Sequence, residues 1–290
     1  MNAKIYIWFL VIFLFNGCLS VPQKVSSDET AAQVIDLKLY IAHKDCYNYL
    51  LDMKFDGFPL LAKLDTGSVA TIVPKNDFFN RYTPVRVESF TGSAHTIVKV
   101  PMIKIENIQI ADFSINLKEV VRNPVARAPP TLGVNALSSQ PFGFDFPHQH
   151  LLLNPKFPQE KLRDLNVAKD GRLLVDLEFD GAHYPSLIDT GYCYTSVDAS
   201  VILQHPDIFV YEKDQSTVDL TGHTVKNRMF RMKTLKFSEF KLSNALVVEN
   251  DLSDISKALG HPIVFILGSD HMSMAKWYFD IKNKKWAATR

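Results

Sequence analysis

The tripeptide Asp-Thr-Gly occurs twice in this chain, at Asp65-Thr66-Gly67 and at Asp189-Thr190-Gly191, each copy between apolar runs. The surroundings repeat too. Phe55-Asp56-Gly57 begins ten residues before Asp65, and Phe179-Asp180-Gly181 begins ten residues before Asp189. Thr91-Gly92 returns as Thr221-Gly222, the alternating run 108–115 as 235–242, and Leu132-Gly133 as Leu267-Gly268. Landmarks that recur in one order mark an internal repeat, so the chain is expected to fold as two matching halves. The duplication also carries chemistry. Two carboxylates brought together on matching loops cannot both ionise cheaply, so one keeps a proton while the other can accept one. A hydrolytic acid–base centre needs that combination.

This constellation resembles the aspartic peptidases, the superfamily of retroviral-type and pepsin-type enzymes, over roughly residues 35 to 289. The resemblance implies an all-β, bilobal fold, with two retropepsin-like β-barrel lobes in one chain and the active cleft between them. It implies that Asp65 and Asp189 are the catalytic pair. Thr66 and Thr190 would hydrogen-bond across to the opposite loop, and Gly67 and Gly191 would permit close approach and offer N–H donors to the carboxylates. The Ser68 hydroxyl would bond the outer oxygen of Asp65. Thr131-Leu132-Gly133 and Ile266-Leu267-Gly268 match the apolar-apolar-Gly segments that pack beneath the family's loops. Tyr192 departs from the Ser, Thr or Ala usual at its position; its phenol either replaces a hydroxyl donor or fills part of a substrate pocket. Hairpins around Thr91-Gly92 and Thr221-Gly222 correspond to flaps that close over bound peptide. The implied reaction is hydrolysis of an extended polypeptide by water held between the two aspartates, in a monomer, with no cofactor and no metal. The competing reading is a non-catalytic peptide-binding protein of the same fold, with Tyr192 blocking the site.

Hydrophobic content of 47% with 22% charged residues suits a globular chain. A formal net charge of +1 supplies no electrostatic case for a nucleic-acid partner. His148-Gln149-His150, without a matched acidic or Cys partner, reads as a surface turn and not a metal site. Of the three cysteines, Cys193 falls where the first repeat has Val69, which favours a small buried thiol, with pairing to Cys46 left open. Branched and aromatic runs predict strands over 34–41, 49–55, 60–64, 96–105 and 117–121, then over 173–179, 229–235, 245–248 and 263–267. Short helical turns are expected after Asn135 and Asp270, taken as helix-start residues, and over 252–259. The cluster Lys282, Lys284 and Lys285, beside Trp277 and Trp286, reads as a solvated hairpin.

At the N-terminus, Lys4 precedes an apolar run from Ile5 to Phe15, followed by Asn16-Gly17-Cys18. This has the form of a secretory signal, and its end resembles a bacterial lipoprotein box with Cys18 as the lipidated residue. The expected organisation is a signal over 1–18, a flexible tether over 19–33, an N-terminal lobe over 34–154, a linker over 155–171 and a C-terminal lobe over 172–290. The expected location is the bacterial cell envelope or periplasm, with a lipid anchor in the membrane.

Overall fold

A computed structural model describes residues 32–43, 46–91, 97–123, 129–218 and 224–290. The signal with Cys18 and residues 19–31 of the expected tether lie outside the described residues, as do Gly92, Thr221 and Gly222, while Gln33, expected in the tether, opens a strand. Among the described residues no helix is long and apolar enough to cross a membrane.

The chain is predominantly β, as expected, and its strands form three sheets. The duplication governs two of them. In the first, strands Cys46–Phe55 and Phe58–Asp65 make a hairpin whose turn residues Asp56 and Gly57 both have positive φ, 45° and 83°. The second sheet repeats this with Leu173–Phe179 and Ala182–Ile188 around Asp180 and Gly181, at φ 49° and 77°. A two-residue turn with both residues at positive φ matches the twist of the flanking strands, and Asp-Gly is suited to it. The two Phe-Asp-Gly landmarks are therefore hairpin turns.

The order then continues identically in both sheets. Thr131–Gly133 runs parallel to Phe58–Asp65, next come Ile72–Val73 and Glu119–Arg122, then Ile97–Lys104, and Pro84–Thr91 forms the edge. In the second sheet Phe265–Leu267 runs parallel to Ala182–Ile188, followed by Ser196–Asp198, Phe240–Asn250, Thr224–Phe237 and Phe209–Val218. Ala111 and Ser238, at φ 52° and 50°, occupy equivalent turns within the repeated alternating runs. Burial follows the strand period. Leu51, Met53 and Phe55 point inward while Asp52 and Lys54 face solvent.

A third sheet joins the halves. Its order is Gln33–Asp36, His150–Leu153, Phe142–Asp145, Lys276–Asp280, Lys285–Thr289 and Arg163–Asp164. It buries Phe142, Phe144, Trp277, Phe279 and Trp286 completely or nearly so. Several local expectations change here. The run 34–41 is two strands, broken at Leu37, whose N–H donates to the Gln149 carbonyl. The span 155–171 is not a free linker: Arg163–Asp164 pairs with Lys285–Thr289, and Asn166–Val167 pairs with Leu173–Phe179. The basic hairpin at 281–284 forms, yet its flanking Trp277 and Trp286 are core residues. His148 ends a short 3-10 turn and His150 opens a strand. His148 Nδ1 lies 2.8 Å from Asp145 Oδ1, and among the described residues no acidic, His or Cys group forms a metal-holding cluster.

Candidate active site

The first Asp-Thr-Gly begins at the last residue of strand Phe58–Asp65, and the second follows directly on Ala182–Ile188. Each loop is closed in the same way. The Ser68 N–H donates to the Asp65 carbonyl at 3.2 Å, and the Tyr192 N–H donates to the Asp189 carbonyl at 3.2 Å. Behind each loop runs a parallel strand with a glycine at its end, Gly133 as the last residue of Thr131–Gly133 and Gly268 just after Phe265–Leu267. Val134 N–H donates to the Ser68 carbonyl at 2.9 Å, and Ser269 N–H to the Tyr192 carbonyl at 2.8 Å. A β-carbon on Gly133 would overlap the backbone of Ala70, and one on Gly268 would overlap that of Tyr194 and Thr195. Glycine is required there by contact, since backbone meets backbone.

The two loops interlock. Thr66 Oγ1 donates to the Ile188 carbonyl at 2.9 Å and accepts from the Thr190 N–H at 3.1 Å. Thr190 Oγ1 donates to the Leu64 carbonyl at 3.1 Å and accepts from the Thr66 N–H at 3.0 Å. Both threonines are fully buried. Four hydrogen bonds thus satisfy polar groups that would otherwise be stranded in the interior. They also bring the carboxylates together. A β-carbon on Gly67 would overlap the Asp189 carboxyl, and one on Gly191 would overlap the Asp65 carboxyl. Each aspartate therefore lies against the opposite loop's glycine.

Of the two expected N–H donors, Gly191 serves its carboxylate as expected, and on the first loop Ser68 donates where Gly67 was expected. Asp65 Oδ1 accepts from the Ser68 N–H at 3.0 Å, and Asp189 Oδ1 accepts from the Gly191 N–H at 2.9 Å. The Ser68 hydroxyl, expected on Asp65, donates instead to the Ala70 carbonyl at 2.8 Å. That nearby carbonyl takes the proton while the backbone serves the carboxylate. Tyr192 directs its hydroxyl to Asn250, whose Nδ2 donates to it at 2.9 Å and to Ser196 Oγ at 2.8 Å. Thr91 lies at the end of Pro84–Thr91, paired with Ile97.

Burial pushes Asp189 up to about 7, and the negative charge of Asp65 adds to the effect. The Lys63 ammonium, the Gly191 N–H and Arg172 oppose it. Desolvation penalises the charged form of a carboxyl, and a like charge beside it penalises it further. Below neutral pH this pair therefore holds a proton that a solvated aspartate would have lost.

Several supporting groups escaped the sequence reading. Thr71 Oγ1 lies 3.0 Å from Asn135 Oδ1 and accepts from the Gly133 N–H at 3.3 Å. Its counterpart Thr195 lies 3.0 Å from Asp270 Oδ1 and accepts from the Gly268 N–H at 3.1 Å. Asn135 and Asp270 are thus tied to these threonines, while Gly133 and Gly268 hold the N-cap positions expected of them. Both threonines stand six residues after an Asp of the repeat, a signal present in the sequence. Cys46 and Cys193 form a disulfide across a sequence separation of 147, with Cα atoms 4.6 Å apart. The second loop is therefore bonded covalently to the first half, and Cys193 is not a free thiol.

No protein-family model matches this chain, and no curated protein matches it.

Proposed function

We propose that this protein is an aspartic endopeptidase, built as two retropepsin-like lobes over 34–154 and 172–290 and acting as a monomer. The observation that carries the reading is the reciprocal interlock of Thr66 and Thr190, which seats both carboxylates against each other's loops. A peptide-binding module has no need of two such aspartates, one of them pushed up to about 7.

In the proposed reaction, water sits between the carboxylates with the scissile carbonyl beside it. The ionised aspartate takes a proton from water as its oxygen attacks the carbonyl carbon. The protonated aspartate gives its proton to the carbonyl oxygen, forming a gem-diol. Collapse returns a gem-diol proton to the second aspartate, while the first delivers its proton to the departing amide nitrogen. One water and one peptide bond become a carboxylic acid and an amine, and both carboxyl groups regain their starting states. The strands Pro84–Thr91 and Phe209–Val218 are sheet edges, suited to hydrogen-bonding an extended substrate as an added strand. Export through the N-terminal signal, with lipid on Cys18, would place the activity in the cell envelope.

The test is incubation of the full chain with unfolded protein across pH, with and without a statine-type transition-state mimic. Asp65→Asn and Asp189→Asn are each expected to abolish cleavage, with the double variant little worse, because residues acting as a unit are non-additive. Peptide bound by wild type without cleavage at any pH would establish the binding-protein alternative instead.

A further inference from the structure

The site is two-fold in nearly every respect. The threonine interlock, the glycine contacts and the Thr71 and Thr195 supports each occur twice. Each carboxylate accepts one backbone N–H from its own loop, so hydrogen bonding does not distinguish the two aspartates. One charge does. Lys63 stands two residues before Asp65, and the residue two before Asp189 is the buried Leu187. Lys63 Nζ donates to the Gly191 carbonyl at 2.9 Å and lies 3.6 Å from Asp65 Oδ2. Its side chain is 16% exposed and that of Asp65 is 9% exposed. This ammonium is thus anchored to the second loop while it faces the carboxylate of the first.

We infer that Lys63 is a positioning residue that makes Asp65 the ionised base and leaves the shared proton on Asp189, the acid. The assignment rests on reading the two aspartates as a hydrolytic pair. An opposite charge within a few ångströms favours the ionised carboxyl, and a like charge disfavours its neighbour's ionisation. Lys63 stands at ion-pair distance from Asp65, 3.6 Å, and its pull on Asp189 is outweighed there by burial and by the charge of Asp65, which raise that carboxyl. Among the other charged and titratable groups, Arg172 also favours an ionised Asp189, as the smallest of the effects on it. Arg172 is held by both carboxylate contacts to Asp170, at 2.9 and 2.7 Å. Asp270 accepts from the Thr195 and His271 N–H groups, and His271 Nδ1 sits 2.7 Å from Thr195 Oγ1. The Tyr192 hydroxyl is held by Asn250. In the reaction, Asp65 would take the proton from water, and Asp189 would donate to the carbonyl oxygen.

The experiment is a carboxyl-carbon NMR titration of the full chain labelled at aspartate, with the two resonances assigned through Asp65→Asn and Asp189→Asn. At pH 5.5, wild type is expected to show Asp65 ionised and Asp189 protonated. In Lys63→Met the titration of the pair is expected to move to higher pH by about one unit or more. The acid limb of kcat/KM for peptide cleavage should move with it, and Lys63→Arg should restore both. Asp65 found protonated and Asp189 ionised in wild type would overturn the inference without any variant. A Lys63→Met titration superimposable on wild type would overturn it as well. A chain that cleaves nothing, yet shows the expected titration, would reject the peptidase reading and leave the role of Lys63 intact.

Discussion

Asp189→Asn is expected to stabilise this protein at neutral pH and to do so progressively less as pH falls. The folded Asp189 carboxyl titrates near 7, against an ordinary value of 3.8. Between these values the unfolded chain has released the proton and the folded chain still holds it, so unfolding becomes more favourable as pH rises. Each unit of difference is worth about 1.4 kcal/mol, and roughly three units give about 4 kcal/mol by pH 7.5. That is an upper bound, because water entering the site replaces part of the lost solvation. Asparagine keeps the shape and can still accept from the Gly191 N–H, a 2.9 Å bond in wild type, but it never ionises. Chemical denaturation of wild type and Asp189→Asn should therefore give similar stabilities at pH 4, with the variant ahead by up to about 4 kcal/mol at pH 7.5. In thermal melts the same gap is worth about 8 °C for a chain of this size. Stability curves that stay parallel from pH 4 to 7.5 would refute the half-buried, proton-holding state of Asp189.

Two further outcomes follow from the same geometry. Thr66→Val leaves the Ile188 carbonyl and the Thr190 N–H, both partners of Thr66 Oγ1, buried and unpaired; urea unfolding should show a loss of about 2–4 kcal/mol, largely recovered in Thr66→Ser. Replacing both Cys46 and Cys193 by serine opens a bridge with a sequence separation of 147 and should cost about 2–5 kcal/mol, with the wild-type difference between reducing and non-reducing conditions vanishing in the double variant.

How far the sequence could be read depended on whether a feature was local or needed a distant partner. The interlocking threonines and the close-approach glycines were legible through the resemblance carried by the two Asp-Thr-Gly segments. Phe55-Asp56-Gly57 was legible only as a landmark of the repeat, and its role as a hairpin turn emerges from the strands it joins. The third sheet was hidden. Phe142–Asp145 pairs with Lys276–Asp280, and Gln33–Asp36 with His150–Leu153, and no periodicity in one segment reveals a partner more than a hundred residues away. The span 155–171 reads as a linker for the same reason, since Arg163–Asp164 within it finds its partner in distant Lys285–Thr289. Asn135 and Asp270 have the composition of helix caps, but tertiary contact with Thr71 and Thr195 overrides that local preference. The Ser68 hydroxyl goes to Ala70 because a nearby carbonyl competes with the carboxylate.

The differences between the halves are as informative as their agreement. In a symmetric pair of identical chains, any residue beside one aspartate must also stand beside the other, so a cation could favour neither carboxyl over its partner. Joining both halves in one polypeptide removes that constraint. Lys63 faces Asp65 where the second half has buried Leu187. Ser68 turns back on its own loop where Tyr192 reaches out to Asn250. The shared scaffold, with its interlock and the disulfide from Cys46 to Cys193, holds the carboxylates in register, and substitutions around it are then free to give each aspartate its own electrostatic surroundings. On the proposed reading, division of labour between base and acid is built into the chain before substrate arrives. A symmetric pair would have to acquire that division on binding.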